Sequence, residues 1–227
     1  LRSYDSVMRL SRMGAFFPHR LSFMRVLIRK LVAQKSTMEI PIRALDKNGF
    51  GHVVLSLALS GRVYSLIAFS RDIKDSERTD RVIATRWDAS FCLFDGVPSL
   101  ADIDQLADKV TNQEAGRYDA RILTLSRANK SLRLFSHVVD RLAEGQQPDT
   151  EVLAATGYLM RTTAVYGNGK FGIADRHKVA GYEGLEGAFQ AEMLTVFLIR
   201  EFTLLLAEHC GVVQTSPLGF QLQTKQT

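Results

Sequence analysis

Apolar and polar residues alternate with period two through much of residues 38–94, a pattern that predicts β-strands. Residues 38–45 (MEIPIRAL) read as a first strand, and Pro41, which lacks an N–H, suits an edge position. Asp46-Lys47-Asn48-Gly49 carries tight-turn chemistry, because Asn-Gly accepts positive φ. In residues 50–60, Val53, Leu55, Leu57 and Leu59 fall on one face, and His52, Val54, Ser56, Ala58 and Ser60 on the other. Ser60-Gly61-Arg62 makes a second short link, and residues 63–70 return. A charged loop over 71–80 leads to a long last strand over 81–94. There Ile83, Thr85, Trp87, Ala89, Phe91 and Leu93 oppose Arg86, Asp88, Ser90 and Cys92. The short links predict an antiparallel meander of about four strands, with one face apolar and the other mixed and wet.

Beyond residue 99 the period changes to that of a helix. Ser99, followed three residues later by Asp102, predicts a capped helix over 99–112 with Leu100, Ile103, Leu106, Ala107 and Val110 inward. Ile122-Leu123-Thr124-Leu125 fits a strand or an extended link equally. Residues 127–144 predict a helix with Leu132, Phe135, Val138, Val139 and Leu142 on one face, ended by Gly145 and Pro148. Thr150 caps another, running to about Tyr166. A last helix spans about 184 to 211. Its apolar residues nearly circle it, so it is expected to be the buried centre of a bundle or a subunit interface. Glu192, Arg200, Glu201 and Glu208 argue against a bilayer span. The fold class expected is α+β, with a sheet over 38–94 and a helical part over 99–211, forming one domain from residue 36 onward.

Composition adds little to this: 227 residues, 46% hydrophobic and 23% charged, argue for a globular chain and against disorder. Charge adds more. The net is +5, yet the first 35 residues hold eight cations against Asp5 alone, a net +7 that leaves −2 for the rest. Within this separate segment, residues 20–34 predict an amphipathic helix with Met24, Leu27, Ile28, Leu31 and Val32 on its apolar face and Arg25 and Arg29 away from it. Such a helix suits nucleic acid, an anionic membrane surface, an acidic partner or a transit peptide. It equally suits a helix that docks its apolar face and solvates its arginines. No aromatic residues interleave with the arginines of the polar face, which argues against a single-stranded nucleic-acid platform. Cys92 and Cys210 form no CxxC motif and no secretory signal is visible, so reduced thiols and a cytoplasmic location are expected.

Chemistry concentrates at one place. Between Gly157 and Gly187 lie seven of the sixteen glycines. The run Tyr166-Gly167-Asn168-Gly169-Lys170-Phe171-Gly172 precedes Asp175-Arg176-His177-Lys178. Glycine lets a backbone approach a ligand and aim its N–H groups at an anion. A small phosphate- or carboxylate-bearing ligand is therefore expected over 166–178. Arg161, Asn168, Gly169, Lys170 and Arg176 would bind it, and His177 or Tyr166 would handle a proton. The run is not a P-loop, since Phe171 follows Gly169-Lys170, and its GxGxxG letters follow a helix rather than a strand. No cofactor is named by these residues.

Other candidates carry less. His52, Ser56, Ser90 and Asp88 share the mixed sheet face, but nothing in their spacing builds a triad. The five histidines are scattered, with no HExxH and no paired cysteines, so no metal site is expected. His209 is expected to serve its helix end and His137 to make an ordinary hydrogen bond. Two functions remain. One is an enzyme or catalytic-complex subunit with an anion site at 166–178. The other is a non-catalytic assembly module that uses the basic amino-terminal helix and the apolar final helix. Either would work as a homo- or hetero-oligomer, and nucleic acid is the least favoured partner.

Overall fold

A computed structural model describes residues 27–72, 74, 76, 87–111, 119–127, 132–147, 149, 182, 184–185 and 188–211. The expected helix after Thr150, the start of the expected strand at 81–86 and the tail after 211 lie outside these residues.

Five strands form one antiparallel meander: β1 (Met38–Leu45), β2 (Gly51–Leu59), β3 (Arg62–Asp72), β4 (Trp87–Asp95) and β5 (Ile122–Arg127). Local chemistry sets the first two turns. The Asp46 carboxylate accepts the N–H groups of Asn48 (2.8 Å) and Phe50 (2.9 Å), and Gly49 takes a φ of 82°. Ser60 and Gly61 both have positive φ, 54° and 82°, as a two-residue hairpin loop with native twist requires. β1 is an edge strand, and its register slips between Glu39 and Ile42, around Pro41. The sheet has one strand more than the expected four. The run 122–125 is strand, and Arg127, expected in a helix, is the last residue of β5.

Helices cover both faces. They are α1 (residues 27–33), α2 (Leu100–Thr111), α3 (Leu132–Ala143) and α4 (Ala188–Cys210). One face carries Val53, Leu55, Leu57, Leu59, Tyr64, Leu66, Ala89, Phe91 and Leu93, as the alternation predicts. Leu27 and Leu31 of α1, Val139 and Leu142 of α3, and Leu194, Leu198 and Phe202 of α4 pack on it. Phe91 and Phe202 meet edge to face at 5.6 Å. α3 stops as predicted: Gly145 (φ 70°) donates to Leu142 O and Gln146 to Arg141 O, the paired bonds of a Schellman cap.

The mixed face is a second core, not the wet surface expected. Val54, Ile67, Phe69, Cys92, Phe94, Ile122 and Leu125 bury against Ile103, Leu106 and Val110 of α2. The reason is that α2 has an apolar stripe of its own and meets enough apolar area on this face to cover it. Its polar residues stay satisfied. Ser65 donates to Gly96 O (2.6 Å), so the Ser56–Ser65 contact (2.7 Å) has Ser56 as donor. Two expected inward residues point out instead: Leu100 is 65% exposed and Val32 72%. Each sits at the margin of its stripe, beyond the reach of the sheet. The protein is thus α+β, and among the described residues no helix is long and apolar enough to cross a membrane.

Candidate functional site

Arg161, Tyr166, Asn168, Gly169, Lys170, Arg176 and His177 all lie outside the described residues. What the structure gives is the two flanks of that stretch. On the entering side, Asp149 N donates to His137 Nε2 at 2.8 Å. Nε2 is thereby an acceptor, the ordinary hydrogen bond expected of His137. On the returning side, the Arg62 guanidinium lies 4.3 Å above the Tyr182 ring, a cation–π contact. Arg62 also forks onto Asp95 through Nε (2.6 Å) and Nη2. The Asp95 carboxylate raises the Arg62 pKa still further, so this cation is committed to a partner. Lys30 Nζ reaches from α1 to Gly184 O at 2.8 Å.

The polar residues of the mixed face do not assemble a hydrolase site. His52, Phe69, Ser90 and Arg127 align in one row across β2, β3, β4 and β5. His52 and Ser90 are thus two strand spacings apart, about 9–10 Å. The Phe69 ring stands between them, 6.4 Å from the imidazole. Ser56 is four residues further along β2 and is bonded to Ser65. Asp88 is fully buried and takes a hydrogen bond from Arg71 Nε at 3.2 Å. No nucleophile, base and orienting acid meet here. Arg86 lies outside the described residues.

Sequence reading missed a charged cluster at the root of α2. Its capping box is visible in the letters and forms as expected: Ser99 N and Oγ both donate to Asp102 Oδ2 (2.9 and 2.8 Å), and Asp102 N donates back to Ser99 Oγ (3.2 Å). Arg121 is not legible there. It donates to Asp102 (2.6 Å) and forks onto Asp119 (2.8 and 3.1 Å), with its guanidinium 4.7 Å over the Phe94 ring. Arg121, with the Ser99 donors, lowers the Asp102 pKa to about 2, and it lowers that of Asp119 as well. Only the β4–β5 register brings Arg121 to α2.

His209 also has partners that no spacing announced. Arg43 Nη2 donates to its Nδ1 (2.9 Å), and its Nε2 contacts Asp46 O at 2.7 Å. A guanidinium accepts nothing, so Nδ1 carries a lone pair and the proton sits on Nε2. The imidazole thus ties α4 to both β1 and the first turn. Cys92 is buried and desolvation raises its thiol pKa, whereas Cys210 is partly exposed; both are free thiols. Among the described residues no three His, Cys, Asp or Glu side chains are grouped to hold a metal ion. Comparison with protein-family models, curated proteins and solved structures finds no match to this chain.

Proposed function

We propose that the chain binds a small phosphate- or carboxylate-bearing ligand at the glycine-rich stretch 166–178, as an enzyme or as a subunit of a catalytic complex. The observation that carries the reading is compositional. Gly167, Gly169 and Gly172 crowd beside Lys170, Arg176 and Lys178, with Asp175 the one acid in the stretch. Backbone amides freed by glycine and an excess of cations are what an anion needs. Lys170, Arg176 and Arg161 bind the charge, Asn168 and Gly169 approach it through the backbone, and His177 or Tyr166 exchanges a proton with the bound group.

The described body supports this over assembly through the final helix. Leu194, Leu198, Phe202, Leu204, Leu205 and Leu206 of α4 are buried inside the chain, leaving few of its apolar residues for a partner. Arg62, Arg71, Arg121 and Arg200 are each paired with a carboxylate. The amino-terminal helix also spends apolar residues inward, with Leu27 and Leu31 buried.

Titration calorimetry with inorganic phosphate and with citrate tests the reading. Lys170→Ala and Arg176→Ala are each expected to weaken binding about 10-fold or more, since a charge-assisted hydrogen bond contributes about 1.5–3 kcal/mol. The number of chains per particle is expected to stay the same. Absence of binding by the wild type, together with a changed chain number in these variants, would favour the assembly module instead.

A further inference from the structure

Several unrelated contacts converge on the point where the chain returns from residue 181. Lys30 of α1 donates to Gly184 O. Gln34, just after α1, bonds Ser60 twice: its Oε1 accepts Ser60 N (3.0 Å) and its Nε2 donates to Ser60 Oγ (2.9 Å). Gly184 has a φ of 83°, and a Cβ there would stand 2.7 Å from Leu59 Cγ, so its backbone lies directly on the β2 end. Tyr182 is held under Arg62, the first residue of β3. The β2–β3 hairpin, α1 and residues 182–185 therefore form one joint.

α1 is attached to this joint lightly. It is seven residues long, far below the length at which a helix is stable alone. Its anchors in the main core are Leu27 and Leu31. Its carboxyl end is a Schellman cap, with Lys35 N donating to Val32 O (3.0 Å) and Ser36 N to Leu31 O (2.9 Å). The residue at the left-handed position of that cap is Lys35 (φ 51°), not glycine, which strains the cap. The charge of the chain is also concentrated here, in the first 35 residues.

We propose that residues 27–36 act as a releasable strap that holds Tyr182, Gly184 and Leu185 against the β2–β3 hairpin, so that docking of the basic helix sets the order of the glycine-rich stretch's carboxyl-terminal root. Release of the strap removes the Lys30 bond and uncovers Leu27 and Leu31, while the hydrogen bonds within the sheet persist. The strap stands apart from the anion reading, because its test needs no ligand.

Hydrogen exchange of the full chain, followed by mass spectrometry, tests it. Lys30→Met keeps the aliphatic stem and removes the donor. Exchange in the peptide spanning 182–185 is expected to rise about 5-fold, with β2 and β3 unchanged. Lys35→Gly relieves the left-handed strain, and exchange is expected to fall about 2- to 5-fold in both 27–36 and 182–185. An unchanged 182–185 peptide in Lys30→Met, or a rise spread equally through β2 and β3, overturns the proposal. So does protection in Lys35→Gly that stays confined to 27–36. The two variants act in opposite directions, so general loss of folding cannot mimic the expected pair of results.

Discussion

Thr124 of β5 and Thr195 of α4 meet hydroxyl to hydroxyl at 2.7 Å in the buried seam between sheet and helix. Thr195 spends its one proton on Ala191 O, also at 2.7 Å. Thr124 must therefore be the donor and Thr195 the acceptor. The pair is directional, and its two halves are not equivalent.

That direction predicts unequal costs for two isosteric changes. Thr195→Val leaves the Thr124 proton buried with its acceptor gone, at about 1–3 kcal/mol. Thr124→Val removes only a donor, and Thr195 keeps its bond to Ala191, so the cost should stay under about 1 kcal/mol. The double variant should recover part of the Thr195→Val loss. Urea unfolding of the three variants checks the order, and equal single-variant costs would refute the assignment.

Two glycines with positive φ should differ sharply on substitution. A Cβ on Gly51 (φ 137°) would lie 2.0 Å from Ala44 O, inside the β1–β2 ladder, whereas one on Gly61 (φ 82°) would meet nothing within 4 Å. Gly61→Ala should cost only the left-handed backbone term, about 1–2 kcal/mol. Gly51→Ala adds a clash with backbone and should cost more than about 3 kcal/mol, or leave β1 unpaired. Thermal unfolding with amide exchange across β1 separates these outcomes.

The Asp102 cap should show in acid. Its folded pKa, about 2, lies below the ordinary 3.8, so the ionised form is the one the fold favours. The contribution is present above the unfolded value and is lost as pH falls from about 4 towards 2. Screening by solvent limits it to on the order of 1 kcal/mol. Asp102→Asn should therefore be less stable than wild type at pH 6, and the difference should shrink by pH 2. A gap independent of pH would show that the charge does not act.

Local chemistry made parts of this fold readable. β1 emerges at Met38–Leu45 because Asp46 and Asn48-Gly49 encode its turn, and α2 starts at Leu100 because Ser99 and Asp102 cap it. The second core was not readable, because the partner of the α2 stripe is set by strand register rather than by neighbours in sequence. Four apolar residues are too few to tell strand from link, so β5 shows itself only through pairing with β4. Val32 and Leu100 are periodic yet exposed, because a stripe is buried only as wide as its partner surface. For the candidate site, the residue types of 166–178 are legible but the backbone path is not, because glycine leaves φ open on both sides.

Native mass spectrometry of the purified full chain tests the central claim most directly, since it weighs retained ligand and counts chains in one spectrum. The account predicts a small anionic adduct, or one acquired on adding inorganic phosphate, that disappears in the Lys170→Ala, Arg176→Ala double variant while the number of chains stays fixed. A spectrum without any adduct, and a double variant altered only in its number of chains, would contradict it.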